Sequence, residues 1–89
     1  MIILGIAHYE IYLKEEKKMA GNTVQAYIRD IKHFEAFVGV RGVSRLSEAT
    51  NSEVVAYLMS LKQAGRSKST ENRKLASIRT YYTFLQRNG

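Results

Sequence analysis

The chain has 89 residues, no proline, no cysteine and a formal charge of +6. That length supports one small hydrophobic core, the missing thiols exclude disulfides and thiolate metal sites, and an apolar content of 45 % separates it from disordered chains. The charge is unevenly placed: residues 1–61 hold seven bases and seven acids, whereas residues 62–89 hold seven bases opposed only by Glu71.

A local excess of this kind fits a polyanion, with nucleic acid and an anionic membrane surface as the two candidates. The opening "MIILGIA" is far shorter than a bilayer span and lacks the basic leader and cleavage site of a secretory signal. Over residues 1–7 it reads as a frayed start or a packing patch, and the chain reads as cytoplasmic.

A first helix is expected from about Ala7 to Met19, with Ile11, Tyr12 and Met19, preceded by Tyr9 or His8, as a loose apolar stripe. "AGN" ends it. The second is the clearest: in "NTVQAYIRDIKHFEAFVG", Val24, Tyr27, Ile28, Ile31, Phe34 and Val38 recur at half-buried helical spacing. Asn22 is the expected N-cap, with Gln25 completing a capping-box-like pair, and Gly39 the expected stop. Gln25, Arg29, Lys32 and His33 fall on its outer face.

A loop, "VRGVSRLSEA", follows. Thr50 then caps a third helix with Glu53 at the reciprocal position, Val54, Tyr57, Leu58 and Leu61 face inward, and Ala64-Gly65 ends it. The fourth helix starts near Ser69 and runs to about Asn88, with Gly89 suited to its C-cap. Leu75, Ile78, Tyr82 and Leu85 line one side with Tyr81 beside them, while Ser69, Arg73, Thr80 and Arg87 lie opposite. Phe84 also falls on that opposite side, and an aromatic there calls for a partner: helix one, or a neighbouring domain or protomer. Four short-linked amphipathic helices make a compact all-α bundle.

No catalytic constellation emerges. His8 and His33 have no carboxylate at a metal-ligand spacing, no glycine-rich phosphate loop or nucleophile elbow appears, and Tyr81-Tyr82 reads as core. No cofactor is expected.

The stretch "GRSKSTENRKLASIR" carries the functional signal. A helix start is already positive and favours acids, yet Arg66, Lys68, Arg73 and Lys74 crowd it, with only Glu71 of the expected sign. Its free N–H groups, the hydroxyls of Ser67, Ser69 and Thr70, and the Asn72 amide would suit phosphates and base edges. The plain alternative is a capped helix with a solvated basic face.

Three motifs in order carry a family resemblance: "NTVQAYIRDIKHFEAF", the "RG" loop, and "STENRKLASIRTYYTFL". From about Tyr9 onward the chain resembles the N-terminal core-binding domain of tyrosine recombinases, in the Xer-type and phage-integrase branch. The resemblance implies a four-helix SAM-like fold and one half of a C-shaped clamp on double-stranded DNA, with helices two and four in or across adjacent major grooves. Carried over by position, helix four would offer Lys68, Ser69, Thr70, Asn72, Arg73 and Ser77, and helix two Thr23, Gln25, Ala26 and Arg29. Ser67 and Lys74 join them from the charge argument, and Arg73 with the first turn of helix four is the strongest candidate.

Arg79 matches a recurrent family arginine but lies closer to the core side, and is expected instead to pair with an acid such as Asp30 or Glu35. The family's catalytic set belongs to a C-terminal domain, and no tyrosine here sits in the nucleophile's motif. The chain, one domain over residues 1–89, is therefore expected to bind DNA without cutting it, to be monomeric alone, and to meet other recombinase protomers in a full assembly. A protein-interaction module of SAM-like shape, or an RNA or membrane-surface binder using the same basic face, are the competing readings.

Overall fold

Helix α2, Gly21–Val40, is the axis of the fold in a computed structural model that describes residues 5–88. Around it lie α1 (Ile6–Glu15), α3 (Asn51–Gln63) and α4 (Lys68–Asn88), with a 3-10 turn at Leu46–Glu48 before α3. The expected all-α, four-helix architecture is present, and the described residues contain no strand. Residues 1–4 of the apolar opening and the Gly89 stop lie outside the described residues.

The stripe expected on α2 is the floor of the core. Val24, Ile28, Ile31, Phe34 and Val38 are all buried, and α4 makes the most extensive contact with this helix. Tyr57 of α3 packs against Phe34 and Phe37, with ring centroids 5.3 and 5.1 Å away. Tyr82 of α4 donates its hydroxyl to the Leu46 carbonyl at 2.6 Å, tying the 3-10 turn to the bundle.

Helix ends follow local geometry, and several differ from expectation: α1 stops at Glu15 rather than near Met19, and both ends of α2 are shifted. Asn22 does not cap α2: Ala20 holds the extended N-cap position and Asn22 lies inside the first turn. Gly39 does not stop it either. The helix continues to Val40, and Gly42 takes the left-handed conformation at φ +94°, so that Val43 N–H returns to Val38 O at 2.9 Å. Only a glycine adopts that φ without steric cost, whereas nothing at Gly39 demands one. Gly65 plays the expected part after α3, at φ +79°. At the start of α3, Glu53 accepts from the Thr50 N–H (3.1 Å) and hydroxyl (2.9 Å), as expected.

Helix α1 corrects the looser stripe. Tyr9, Tyr12 and Leu13 face the core while Ile11 is 58 % exposed. Phe84 turns out to be 2 % exposed and sits against α1, with centroids 5.4 Å from Tyr9 and 5.2 Å from Tyr12. Helix one, among the partners open to it, packs on it. Tyr81 meets Tyr9 edge-on at 5.0 Å, and the Tyr9 hydroxyl donates to Ser77 O at 3.3 Å. Burial, reinforced by neighbouring tyrosines, pushes the Tyr9 phenol well above its ordinary value.

Candidate nucleic-acid interface

The first turn of α4 is organised by Ser67. Its Oγ accepts from the Thr70 N–H (3.2 Å) and donates to the Thr70 hydroxyl (3.1 Å), and its carbonyl accepts from Glu71 N–H (3.0 Å). The cap is thus one residue earlier than a start at Ser69 implies, and α4 begins at Lys68. Arg66, Ser67, Lys68, Ser69 and Asn72 are exposed around this end, and Thr70 is half-buried.

One turn further on, α4 is bolted to α2 through a buried carboxylate. Asp30, whose side chain has no exposure, accepts from Arg73 Nε and Nη2 (both 3.0 Å), Lys74 Nζ (3.1 Å) and Ser77 Oγ (2.9 Å). Ser77 also donates to the Arg73 carbonyl at 3.1 Å. Burial alone would raise the Asp30 carboxyl, but hydrogen bonds from Arg73, Lys74 and Ser77 outweigh it and hold the group below the ordinary aspartate range. Such a satisfied carboxylate is the cost-effective way to keep a charge inside a small core.

This knot alters the roster of expected ligand contacts. Ser77 has no exposure and the Lys74 side chain only 7 %, so neither reaches a ligand while the fold is closed. Arg73 lies across the boundary, paired to Asp30 yet with its side chain 42 % exposed. Arg79 is exposed and makes no pair with Asp30, whose acceptors are taken by the three groups just named.

On α2, Arg29 and His33 are exposed beside the knot. Lys74 Nζ lies 3.3 Å from His33 Nδ1, which as acceptor carries no proton. Partial burial, then the positive charges of Lys74, Arg29 and Arg66, lower the His33 pKa, with Asp30 acting in opposition. Lys74 is the cation in contact with His33, and Arg29 lies one helical turn before it on α2. Thr23 and Gln25 are exposed but stand about 7–10 Å nearer the start of α2 than Asp30, at 1.5 Å per residue. Ala26 is half-buried and offers a methyl group only.

Asp30 and His33 are the residues that sequence reasoning left out of the site. A signal existed for the first: Asp30 lies three residues after Tyr27 and four before Phe34, within the apolar stripe of α2. No helix among the described residues is long and apolar enough to cross a membrane.

The family model described as "Phage integrase, N-terminal SAM-like domain" matches residues 6–89. The chain is 40 % identical over 76 residues to tyrosine recombinase XerC of Listeria welshimeri and 37 % over 76 to that of Listeria monocytogenes, covering 85 % of this chain and 25 % of each relative. It is 33 % identical over 78 residues to tyrosine recombinase XerC of Oceanobacillus iheyensis, covering 88 % of this chain and 26 % of that protein. The chain thus spans about a quarter of the length of these curated relatives. No solved structure gives a significant match.

Proposed function

Because the chain belongs to the family of phage-integrase N-terminal SAM-like domains, we propose that it is a non-catalytic duplex-DNA-binding unit of a site-specific tyrosine recombinase. It would grip one side of the duplex through α2 and the start of α4. The contacts proposed are Arg66, Ser67, Lys68, Ser69, Thr70, Asn72 and Arg73 from the α4 side and Arg29 from α2, with Thr23, Gln25 and Ala26 at the outer margin. Lys74 and Ser77 serve from within. Other recombinase protomers are the proposed protein partners.

The observation that carries this reading is the set of exposed bases Arg66, Lys68 and Arg73 at the start of α4, with Arg29 on the adjoining α2, beside a helix start whose dipole is also positive. Asp30, the acid at the centre, is buried and already shared. A phosphate backbone supplies the missing counter-charge.

The test is the salt dependence of binding. For duplex DNA, log K falls linearly with log salt at roughly 0.9 per phosphate contacted; three to four contacts give a slope of about −3 to −4. Arg66→Glu with Lys68→Glu is expected to weaken binding at least about tenfold and to flatten the slope by about two. A slope near zero would point instead to an apolar protein interface. Preference for RNA or anionic vesicles in direct competition would overturn the choice of ligand.

A further inference from the structure

We propose that Asp30 is a positioning residue for this interface, holding Arg73 by Nε and Nη2 so that the remaining guanidinium edge is aimed at a nucleic-acid acceptor. The inference rests on the duplex-binding reading and names the device that makes one of its contacts effective. An arginine has five N–H donors in a rigid planar fork. The two bonds to Asp30, both 3.0 Å, use the inner edge of that fork. Nη1 and the second Nη2 proton lie on the rest of the plane, and the side chain keeps 42 % of its exposure.

The carboxylate is a good anchor because it is itself fixed. Asp30 is fully buried and also accepts from Lys74 and Ser77, which stand one and four positions after Arg73 on the same helix. Rotation of the Asp30 carboxyl would break bonds to all three. Arg73 therefore approaches a ligand with its rotamer already chosen, and little side-chain freedom remains to be lost on binding. Two cations against one anion also leave the knot net positive, so anchoring Arg73 does not cancel the attraction for phosphate. A lysine at 73 could satisfy Asp30 with its ammonium, but the compact head offers no second, outward-facing edge.

The experiment follows the arginine side-chain resonances of the isotope-labelled 89-residue chain during titration with a short duplex at low salt. In the free chain the Arg73 Nε–H is expected to exchange slowly with water. On adding duplex, its Nη signals should shift while Nε–H keeps its position and protection. Arg73→Lys should melt cooperatively like the parent yet bind duplex about tenfold more weakly, the scale of one charge-assisted contact.

Three results would overturn the proposal. If the Arg73 guanidinium is unmoved while the Lys68 and Ser69 amides shift, the duplex reading stands and the positioning role is wrong. If Nε–H loses protection as duplex is added, Arg73 leaves Asp30 in order to bind, and Asp30 is a competitor. If no resonance moves, the duplex reading fails and this inference fails with it.

Discussion

Asp30→Asn is expected to destabilise the fold by about 3–5 kcal/mol, the cost of removing one partner from a buried ion pair. Folded domains are stable by only about 5–15 kcal/mol, so one atom's replacement should take much of the margin. The loss comes chiefly from Lys74, whose side chain is almost wholly buried and whose charge then faces a neutral amide and His33 Nδ1 in place of a carboxylate. Arg73 contributes less, because its exposed edge is screened by water. Urea unfolding followed by circular dichroism measures the effect.

Coupling identifies its cause. Lys74→Met in the Asp30→Asn background should recover part of the loss, since the stranded charge has been removed. Additive effects of the two substitutions would mean that the pair is not the source. The pH dependence has a definite sign. Asp30 titrates lower when folded than its ordinary 3.8, so its contribution is complete above that value and disappears as pH falls through the lower, folded value. The Asn variant should lack this acid limb.

Phe84→Ala is expected to cost about 3–5 kcal/mol, in the range of large aromatic deletions from cores. Its effect should be concentrated at α1. That helix has ten residues, too few to persist alone in water, and its buried side chains Tyr9 and Tyr12 pack at a tilt against the Phe84 ring. Deleting the ring removes contacts to both at once. Hydrogen exchange should therefore show α1 amides opening well before those of α2. A loss below about 1 kcal/mol with α1 still protected would contradict the packing described.

These two positions also mark where sequence reasoning was weakest. The α2 stripe was readable because one periodic face meets one core, and the Thr50–Glu53 pair and Gly65 were readable because their chemistry is local. Phe84 was misplaced on the polar side because α4 packs on α2, α3 and α1. A helix with three neighbours needs a wider apolar arc than a single stripe suggests. Ile11 was misassigned for the converse reason: hydropathy favoured it, whereas Tyr9, Tyr12 and Leu13 at positions i, i+3 and i+4 formed the inner face.

The site was half legible. The excess of charge near the start of α4 can be counted from residues, and so can the hydroxyls that accompany it. What periodicity could not supply was the pairing across 43 to 47 positions that takes Arg73, Lys74 and Ser77 to Asp30. Charged residues are ordinarily exposed, so composition alone points Arg73 and Lys74 at a ligand, and the family resemblance adds Ser77. Once paired, Lys74 and Ser77 are supports inside the fold, and Arg73 spans the boundary, bonded to Asp30 yet partly exposed.

The most direct test of the account is a map of backbone amide shifts on titrating the isotope-labelled chain with a short DNA duplex at low salt. The predicted result is a contiguous set of shifts from Arg66 to Arg73 together with Arg29 and His33, weakening as salt is added. Shifts that spare these residues and gather instead on the exposed Val55 and Met59 of α3 would contradict it.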